Sequence, residues 1–194
     1  MIGASERHRL TRLRVAARFA LRGVWVRPEA LGSTFEWRAG LTERTFFRHF
    51  VDKREVLFWG AGSLQDLLVS TLDSTLDSAA PIDAVAAALE AAAALLQERR
   101  EFSRQRQAVI AANTELQERE LIKLASLSAA LADTLHRRGV TDPAASLTAE
   151  AGIAVFKVAF ERWINETNQQ DFPQLIRETL DELKAVTAGN DHRP

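Results

Sequence analysis

The segment from Thr42 to Lys53 combines side chains that could read and hold a nucleic acid. Thr42 is a good N-cap, because its hydroxyl can accept a hydrogen bond from an early backbone amide of the helix that follows. Arg44 and Thr45 would then lie in the first turn, where an Arg side chain in a major groove can bond the O6 and N7 atoms of guanine. Lys53, just before the next helical run, could neutralise a phosphate. The segment predicts a helix that reads duplex DNA, although an ordinary amphipathic helix with a solvated basic face would carry similar residues.

The spacing of the side chains gives this helix two different faces. Phe46 and Phe50 lie four positions apart and can turn inward together. Arg44, Phe47 and Arg48 spread over the opposite surface. One face would therefore anchor the helix to its domain, and the other would face outward.

The same segment resembles the recognition helix and following turn of the TetR/AcrR family of transcriptional regulators. The positions that match the family pattern are Ala39, Gly40, Leu41, Thr42, Thr45, Phe46, Phe47, His49, Phe50, Lys53, Val56 and Leu57. The resemblance implies a homodimer that binds a palindromic operator and releases it when a small molecule occupies a second domain. The residues expected to contact DNA are Thr42, Arg44, Thr45, Phe47, Arg48, His49 and Lys53.

The chain departs from the family pattern in two places. Phe47 stands where the family most often has Tyr, and the missing hydroxyl removes one possible phosphate contact worth about 1 kcal/mol. Residues 24–38 are longer than the family's equivalent and contain Pro28 and Gly32, so the first helix of the helix-turn-helix is poorly specified. The alternative function is therefore a helical small-molecule binding or interaction protein whose operator binding is weakened or lost through this segment.

The fold class expected from the sequence is all-α. Ala, Leu, Glu, Gln and Arg dominate, and no alternating β-branched runs occur. The periodicity predicts about nine helices: a three-helix helix-turn-helix domain over residues 1–53, and a helical effector-binding and dimerisation domain over residues 54–194. A long helix from near Lys53 to Leu76 would connect the two domains, and in the family that connection transmits the ligand signal.

Charge is divided unevenly along the 194 residues. Residues 1–59 hold 12 Lys or Arg against 6 Asp or Glu, whereas residues 60–194 hold 13 against 20. A basic N-terminal part fits phosphate binding, and an acidic remainder does not. The distribution favours DNA binding by the N-terminal domain, residues 1–53, which we call the head. The C-terminal domain, residues 54–194, which we call the body, would bind something else.

Other classes of protein find little support in the sequence. The chain has no cysteine, so it can form neither a disulfide nor a thiolate metal site. We also find no zinc-protease, nucleophile-elbow, P-loop or dinucleotide-binding motif. The sequence predicts a protein that is not an enzyme, uses no cofactor or metal, does not enter a membrane and is cytoplasmic.

The body helices offer candidates for two further sites. The effector is expected to be mainly apolar, because the helices offer few grouped charges. The candidate pocket residues are Phe102, Arg106, Ile110, Phe156, Phe160 and Trp163, although aromatic residues at helical spacing more often form a simple core. The last two helices are expected to form a four-helix dimer interface, as in the family, with two helices from each subunit. The interface residues predicted there are Ala151, Val155, Val158, Ala159, Ile176, Leu180 and Leu183.

Overall fold

A computed structural model describes residues 57–58, 61–75, 78–165, 167 and 169–189 of the chain. The chain divides into two units, Met1–Gly60 and Ala61–Pro194. Of the first unit, the structure describes Leu57 and Phe58, which lie in a short 3-10 turn. The predicted helix-turn-helix, with all seven predicted DNA contacts, lies outside the described residues.

The described part of the second unit is helical and contains no strand. This confirms the all-α class for that part of the chain. Its helices are α1 (Ala61–Ser74), α2 (Pro81–Gln97), α3 (Arg100–Ala111), α4 (Thr114–Arg137), α5 (Ala144–Ile164) and α6 (Phe172–Thr187). They correspond in order to the six helices that the sequence predicts after the head.

Local sequence signals explain several helix ends. Pro81 occupies the first turn of α2, where its missing N–H is not needed. Gly139 adopts a positive φ of 86° just after α4, a conformation that glycine reaches without a steric penalty. The Val140 N–H donates to the Leu135 carbonyl at 3.0 Å and the Gly139 N–H to the His136 carbonyl at 2.9 Å. This is a Schellman arrangement, and it ends α4.

The start of α1 differs from the prediction. The sequence predicts a continuous helix from near Lys53, but α1 begins at Ala61 and residues 57–58 form a 3-10 turn. The apolar pattern continues through residues 57–58, so periodicity alone does not predict the 3-10 turn there.

The core of the unit is built around α2, which packs against α1, α5 and α6. Small side chains allow these helices to approach one another closely. The fully or almost fully buried alanines of α2 are Ala84, Ala88, Ala92 and Ala93. Larger side chains from α1, α4, α5 and α6 complete the core, among them Leu72, Leu131, Trp163 and Phe172.

The C-terminal end of α4 is attached to the C-terminal end of α1. Arg138 donates a hydrogen bond from Nη1 to the main-chain carbonyl of Leu72. Arg137 pairs with Asp73, with 3.2 Å between Nη2 and Oδ2. Cationic side chains satisfy carbonyls that a helix end leaves without partners. A movement of the C-terminal end of α4 would therefore displace the C-terminal end of α1.

Gly152 of α5 lies against Val85 and Leu89 of α2, and it provides a stability test. A Cβ at this position would lie 2.5 Å from Cγ1 of Val85. We expect Gly152→Ala to lower the free energy of unfolding by about 1–2 kcal/mol, because overpacking costs about 1–3 kcal/mol and the gain in helix propensity returns about 1 kcal/mol or less. Urea unfolding followed by far-UV circular dichroism measures the difference.

Gly62 supplies the matched control for that substitution. It also lies in a helix, but a Cβ there would meet nothing within 4 Å. Gly62→Ala should raise stability by up to about 1 kcal/mol through helix propensity alone. Adding Val85→Ala to Gly152→Ala should reduce the clash. Equal stabilisation by the two glycine substitutions would contradict the close α2–α5 packing.

Candidate functional site

Four aromatic rings form one cluster between α5 and α6. Phe156, Phe160 and Trp163 lie at spacings of four and three residues, which place them on the same face of α5. Phe172, the first residue of α6, stacks on Trp163 with ring centroids 4.6 Å apart and an interplanar angle of 9°. Phe160 lies within 6.0 Å of each of the other three ring centroids. Trp163 and Phe172 are fully buried, whereas Phe156 and Phe160 are partly buried.

The end of α2 fixes the position of Phe172. Gln97 accepts a hydrogen bond on Oε1 from the Phe172 N–H at 2.8 Å, and its Nε2 donates to Oδ1 of Asp171 at 2.9 Å. The Gln97 side chain therefore satisfies one of the free N–H groups at the start of α6. This contact joins residues far apart in the sequence, and it places the Phe172 ring over Trp163.

A polar cluster lies between α3 and α4. The carboxylate of Glu120 receives one hydrogen bond from Arg106 Nη1 at 3.0 Å and another from Gln107 Nε2 at 3.1 Å. The Arg106 and Glu120 side chains are 20% and 23% exposed, so their ion pair is partly shielded from water. Because the two charges compensate each other, the cluster is close to neutral.

Among the residues that the structure describes, two buried polar side-chain atoms have no hydrogen-bond partner. They are the indole Nε1 of Trp163 and the side-chain Oε1 of Gln107. In native interiors the large majority of such atoms are paired with protein or with ordered water. The two atoms therefore mark places where a further molecule could supply the missing partner.

A row of apolar residues remains uncovered on α5. Leu147 and Val158 are 65% and 49% exposed. Ala151 and Ala154 lie between them, and spacings of four, three and four residues align all four side chains along one face. We call Leu147, Ala151, Ala154 and Val158 the α5 stripe. Its small central residues would allow another helix to pack closely against it.

Comparison with known families identifies this helical unit. The family model of the MftR C-terminal domain, a TetR-family C-terminal domain, matches residues 79–188, which is more than half of the chain.

The chain belongs to the TetR family.

No curated protein matches the chain in a sequence search. The matched range runs from just before α2 to just after the end of α6, so it includes the aromatic cluster, the polar cluster and the α5 stripe. The match confirms the family that the recognition-helix pattern suggested, although the two lie in different parts of the chain. A TetR-family C-terminal domain indicates a ligand-responsive transcriptional regulator.

The predicted pocket residues of this TetR-family chain fall into two groups. Phe156, Phe160 and Trp163 come together in the aromatic cluster. Phe102, Arg106 and Ile110 lie on α3, where Ile110 is fully buried and Arg106 pairs with Glu120. The assignment of these residues to an effector pocket stays a prediction.

Sequence reasoning missed two residues of the site. It did not connect Phe172 to the aromatic side chains of α5, and it gave Gln107 no role. The Phe-Pro pair at a helix start gave a signal for the helix end but none for the ring stacking. Nothing in the sequence distinguishes Gln107 from the other glutamines of α3.

The predicted dimer residues also differ in their surroundings. Val155, Ala159, Ile176 and Leu180 are 0–7% exposed within the unit itself, so they have little surface left to bury against a second copy. Ala151 and Leu183 are partly buried, and Val158 is half exposed. Dimerisation remains a prediction. The apolar surface of α5 that is still accessible to a second copy is the α5 stripe.

The helices described by the structure include none that is long and apolar enough to cross a lipid bilayer. The same residues contain no group of three or more His, Cys, Asp or Glu side chains arranged to hold a metal ion.

Proposed function

We propose that this protein is a ligand-responsive repressor that binds a palindromic operator as a homodimer and is released by a small molecule. One observation carries the proposal: a TetR-family C-terminal domain over residues 79–188 is joined in one chain to the recognition-helix pattern of residues 39–57. The excess of Lys and Arg in residues 1–59 supports phosphate binding by the head.

The contacts of α4 within the body suggest how ligand binding could change the conformation of the head. α4 carries Glu120 of the polar cluster at one end and Arg137 and Arg138, which hold the end of α1, at the other. α1 directly follows the head in the sequence. A ligand that moved α4 would thus alter α1, and it could shift the population of DNA-binding conformations by the difference of its affinities for them.

Two half-sites of a palindrome require two recognition helices, so the proposal includes a dimer. The α5 stripe is the surface that we assign to it. Exposed Leu147 and Val158 would supply apolar area, and Ala151 and Ala154 would allow close helix approach. α6, which packs beside α5, would complete the four-helix interface that the family uses.

An electrophoretic mobility shift assay tests the proposal, using DNA that flanks the protein's own gene. The regulator should bind it with a strong salt dependence, because phosphate contacts release counterions. Failure to bind this DNA at low salt, with the protein folded, would favour the alternative of a helical small-molecule binding protein. The unusual composition of residues 24–38 is the observation that supports the alternative.

Arg44 provides a residue-level prediction for the head. We expect Arg44→Ala to lower discrimination at one base position by about 1–3 kcal/mol, because a bidentate contact to guanine would be lost. Competition between operator DNA and single-base variants measures this loss. Lys53→Ala is the control, and it should weaken binding to all sequences by a similar factor, because a phosphate contact carries no base information. Equal losses on operator and random DNA for Arg44→Ala would contradict base reading.

A further inference from the structure

The indole N–H of Trp163 is a hydrogen-bond donor that lacks an acceptor. Trp163 is fully buried, and its Nε1 is one of the two buried polar atoms without a partner among the described residues. An indole N–H can only donate, so the position needs an acceptor such as a carbonyl or ether oxygen. Buried donors in native interiors are nearly always paired with protein or with ordered water, so an unpaired donor requires a physical explanation.

The packing around the indole holds this donor in one place. The Trp163 ring stacks on Phe172 with an interplanar angle of 9°, and Gln97 fixes Phe172 by accepting a hydrogen bond from its N–H. Turning the indole away from its position would give up the stacking with Phe172. The donor is therefore preorganised, and a ligand that supplies an acceptor would not have to order the indole on binding.

Two further rings give the surroundings of the donor their apolar character. Phe160 lies beside Trp163 with ring centroids 5.8 Å apart, and Phe156 stacks on Phe160 at 6.0 Å. Both phenylalanines are only partly buried, so some of their ring surface remains accessible. Aromatic rings pair at centroid distances of about 4.5–7 Å, which is the spacing already present within the cluster. An aromatic ligand would extend the cluster in the same way.

The charges near the cluster favour a neutral ligand. The four rings carry no charge, and the indole offers a single neutral donor. Arg162, the residue that precedes Trp163 in the sequence, pairs with Glu178 at 3.1 Å. An anionic ligand beside these rings would lose hydration that one neutral donor does not replace, which disfavours it.

We propose that the aromatic cluster binds a neutral aromatic molecule whose oxygen atom accepts a hydrogen bond from Trp163 Nε1. Aryl ketones and aryl aldehydes have this chemistry. The inference rests on the proposed function, since it takes this molecule to be the effector. It narrows the mainly apolar effector expected from the sequence to an uncharged aromatic compound with a hydrogen-bond acceptor.

Three one-ring probes test the inference on the full-length protein. Acetophenone carries a neutral acceptor, ethylbenzene has nearly the same shape without an acceptor, and benzoate carries a charged acceptor. Titrations followed by nitrogen-15 NMR should show an affinity for acetophenone about fivefold higher than that for ethylbenzene, which corresponds to one net hydrogen bond of about 1 kcal/mol. Benzoate should bind at least about tenfold more weakly than acetophenone, because its charge is not compensated. The indole N–H proton of Trp163 should shift further downfield with acetophenone than with ethylbenzene.

Three variants separate the hydrogen bond from the apolar contact. Trp163→Phe should make the affinities for acetophenone and ethylbenzene equal, while keeping a ring for Phe172 to stack against. It also identifies the Trp163 indole signal among the four tryptophans of the chain. Trp59→Phe is the matched control, because Trp59 lies outside the range of the family match, and it should leave the ratio of the two affinities unchanged. Phe160→Leu should weaken the binding of both neutral probes but keep their ratio, because it removes ring surface and leaves the donor.

Several results would overturn the inference. They are equal affinities for acetophenone and ethylbenzene, a ratio that survives Trp163→Phe, benzoate binding as tight as that of acetophenone, and no binding of acetophenone up to millimolar concentration. A crystal structure in which an ordered water stays on Trp163 Nε1 with acetophenone bound would do the same. Operator binding without probes tests the proposed function separately. A protein that binds operator DNA but does not distinguish the probes loses only this inference, whereas selective binding of acetophenone without DNA binding keeps the site and removes the regulator.

Discussion

Replacing Trp163 by alanine is expected to lower the free energy of unfolding by about 3–5 kcal/mol. The side chain is fully buried, and its ring stacks on Phe172 at 4.6 Å. Removing it deletes a large apolar group and leaves a cavity among Phe156, Phe160 and Phe172 that rigid neighbouring helices can fill only in part. Because typical domains are stable by only about 5–15 kcal/mol, the loss should be visible as a large fall in the urea midpoint.

Val186 provides the control for this prediction. It is also a large apolar residue of the unit, but it is 62% exposed. Val186→Ala should change stability by less than about 0.5 kcal/mol. Trp163→Phe should lie between the two, because it retains a ring for Phe172 to stack against. A Trp163→Ala protein as stable as the Val186→Ala protein would contradict the packing of the aromatic cluster.

Some ends of the body helices can be read from the sequence because local chemistry sets them. Pro81 and Gly139 act within one turn of the helix end that they define, and the structure places both where their backbone preferences predict. The start of α1 was predicted too early, since an apolar period continues through residues where the backbone leaves the α-helix. Local signals were therefore reliable where a single residue determines the backbone.

The aromatic site could be predicted only in part, because its geometry depends on distant contacts. The α5 spacing places Phe156, Phe160 and Trp163 on one face, as expected from helical periodicity alone. The stacking of Phe172 on Trp163 depends on Gln97, a side chain from α2 that holds the start of α6. No spacing rule connects residues 75 positions apart, so this half of the cluster required the structure.

The predicted dimer residues show a second limit of periodicity. α5 carries apolar residues around most of its circumference, so its pattern does not say which side faces the chain's own core. The structure answers that question for Val155 and Ala159, which are buried within the unit, and for Leu147, which is 65% exposed but was absent from the predicted interface. The predicted base-reading residues of the head, by contrast, lie outside the described residues and depend on the sequence pattern alone.

Placing glutamate at both Leu147 and Val158 is expected to convert the proposed dimer into a monomer. These side chains are 65% and 49% exposed, and each would be buried twice across a symmetric interface. Losing that burial and adding charges that find no partner should weaken dimerisation by at least about a hundredfold, since burying one such side chain contributes about 1.5–3 kcal/mol. Sedimentation at micromolar protein concentration measures the change.

Leu121 and Ile122 on α4 give a matched control for the double substitution, because they are 60% and 64% exposed and lie outside the α5 stripe. Glutamates at both positions should leave the dimer intact. Operator binding should follow the oligomeric state: a monomer presents one recognition helix, so it loses the second half-site and the affinity gained by linking the two. If the α4 variant were monomeric and the α5 variant dimeric, the interface would lie on α4 instead. A chain that sediments as a monomer without any substitution would remove the dimer from the proposed function, because a palindromic operator needs two copies of the segment that begins at Thr42.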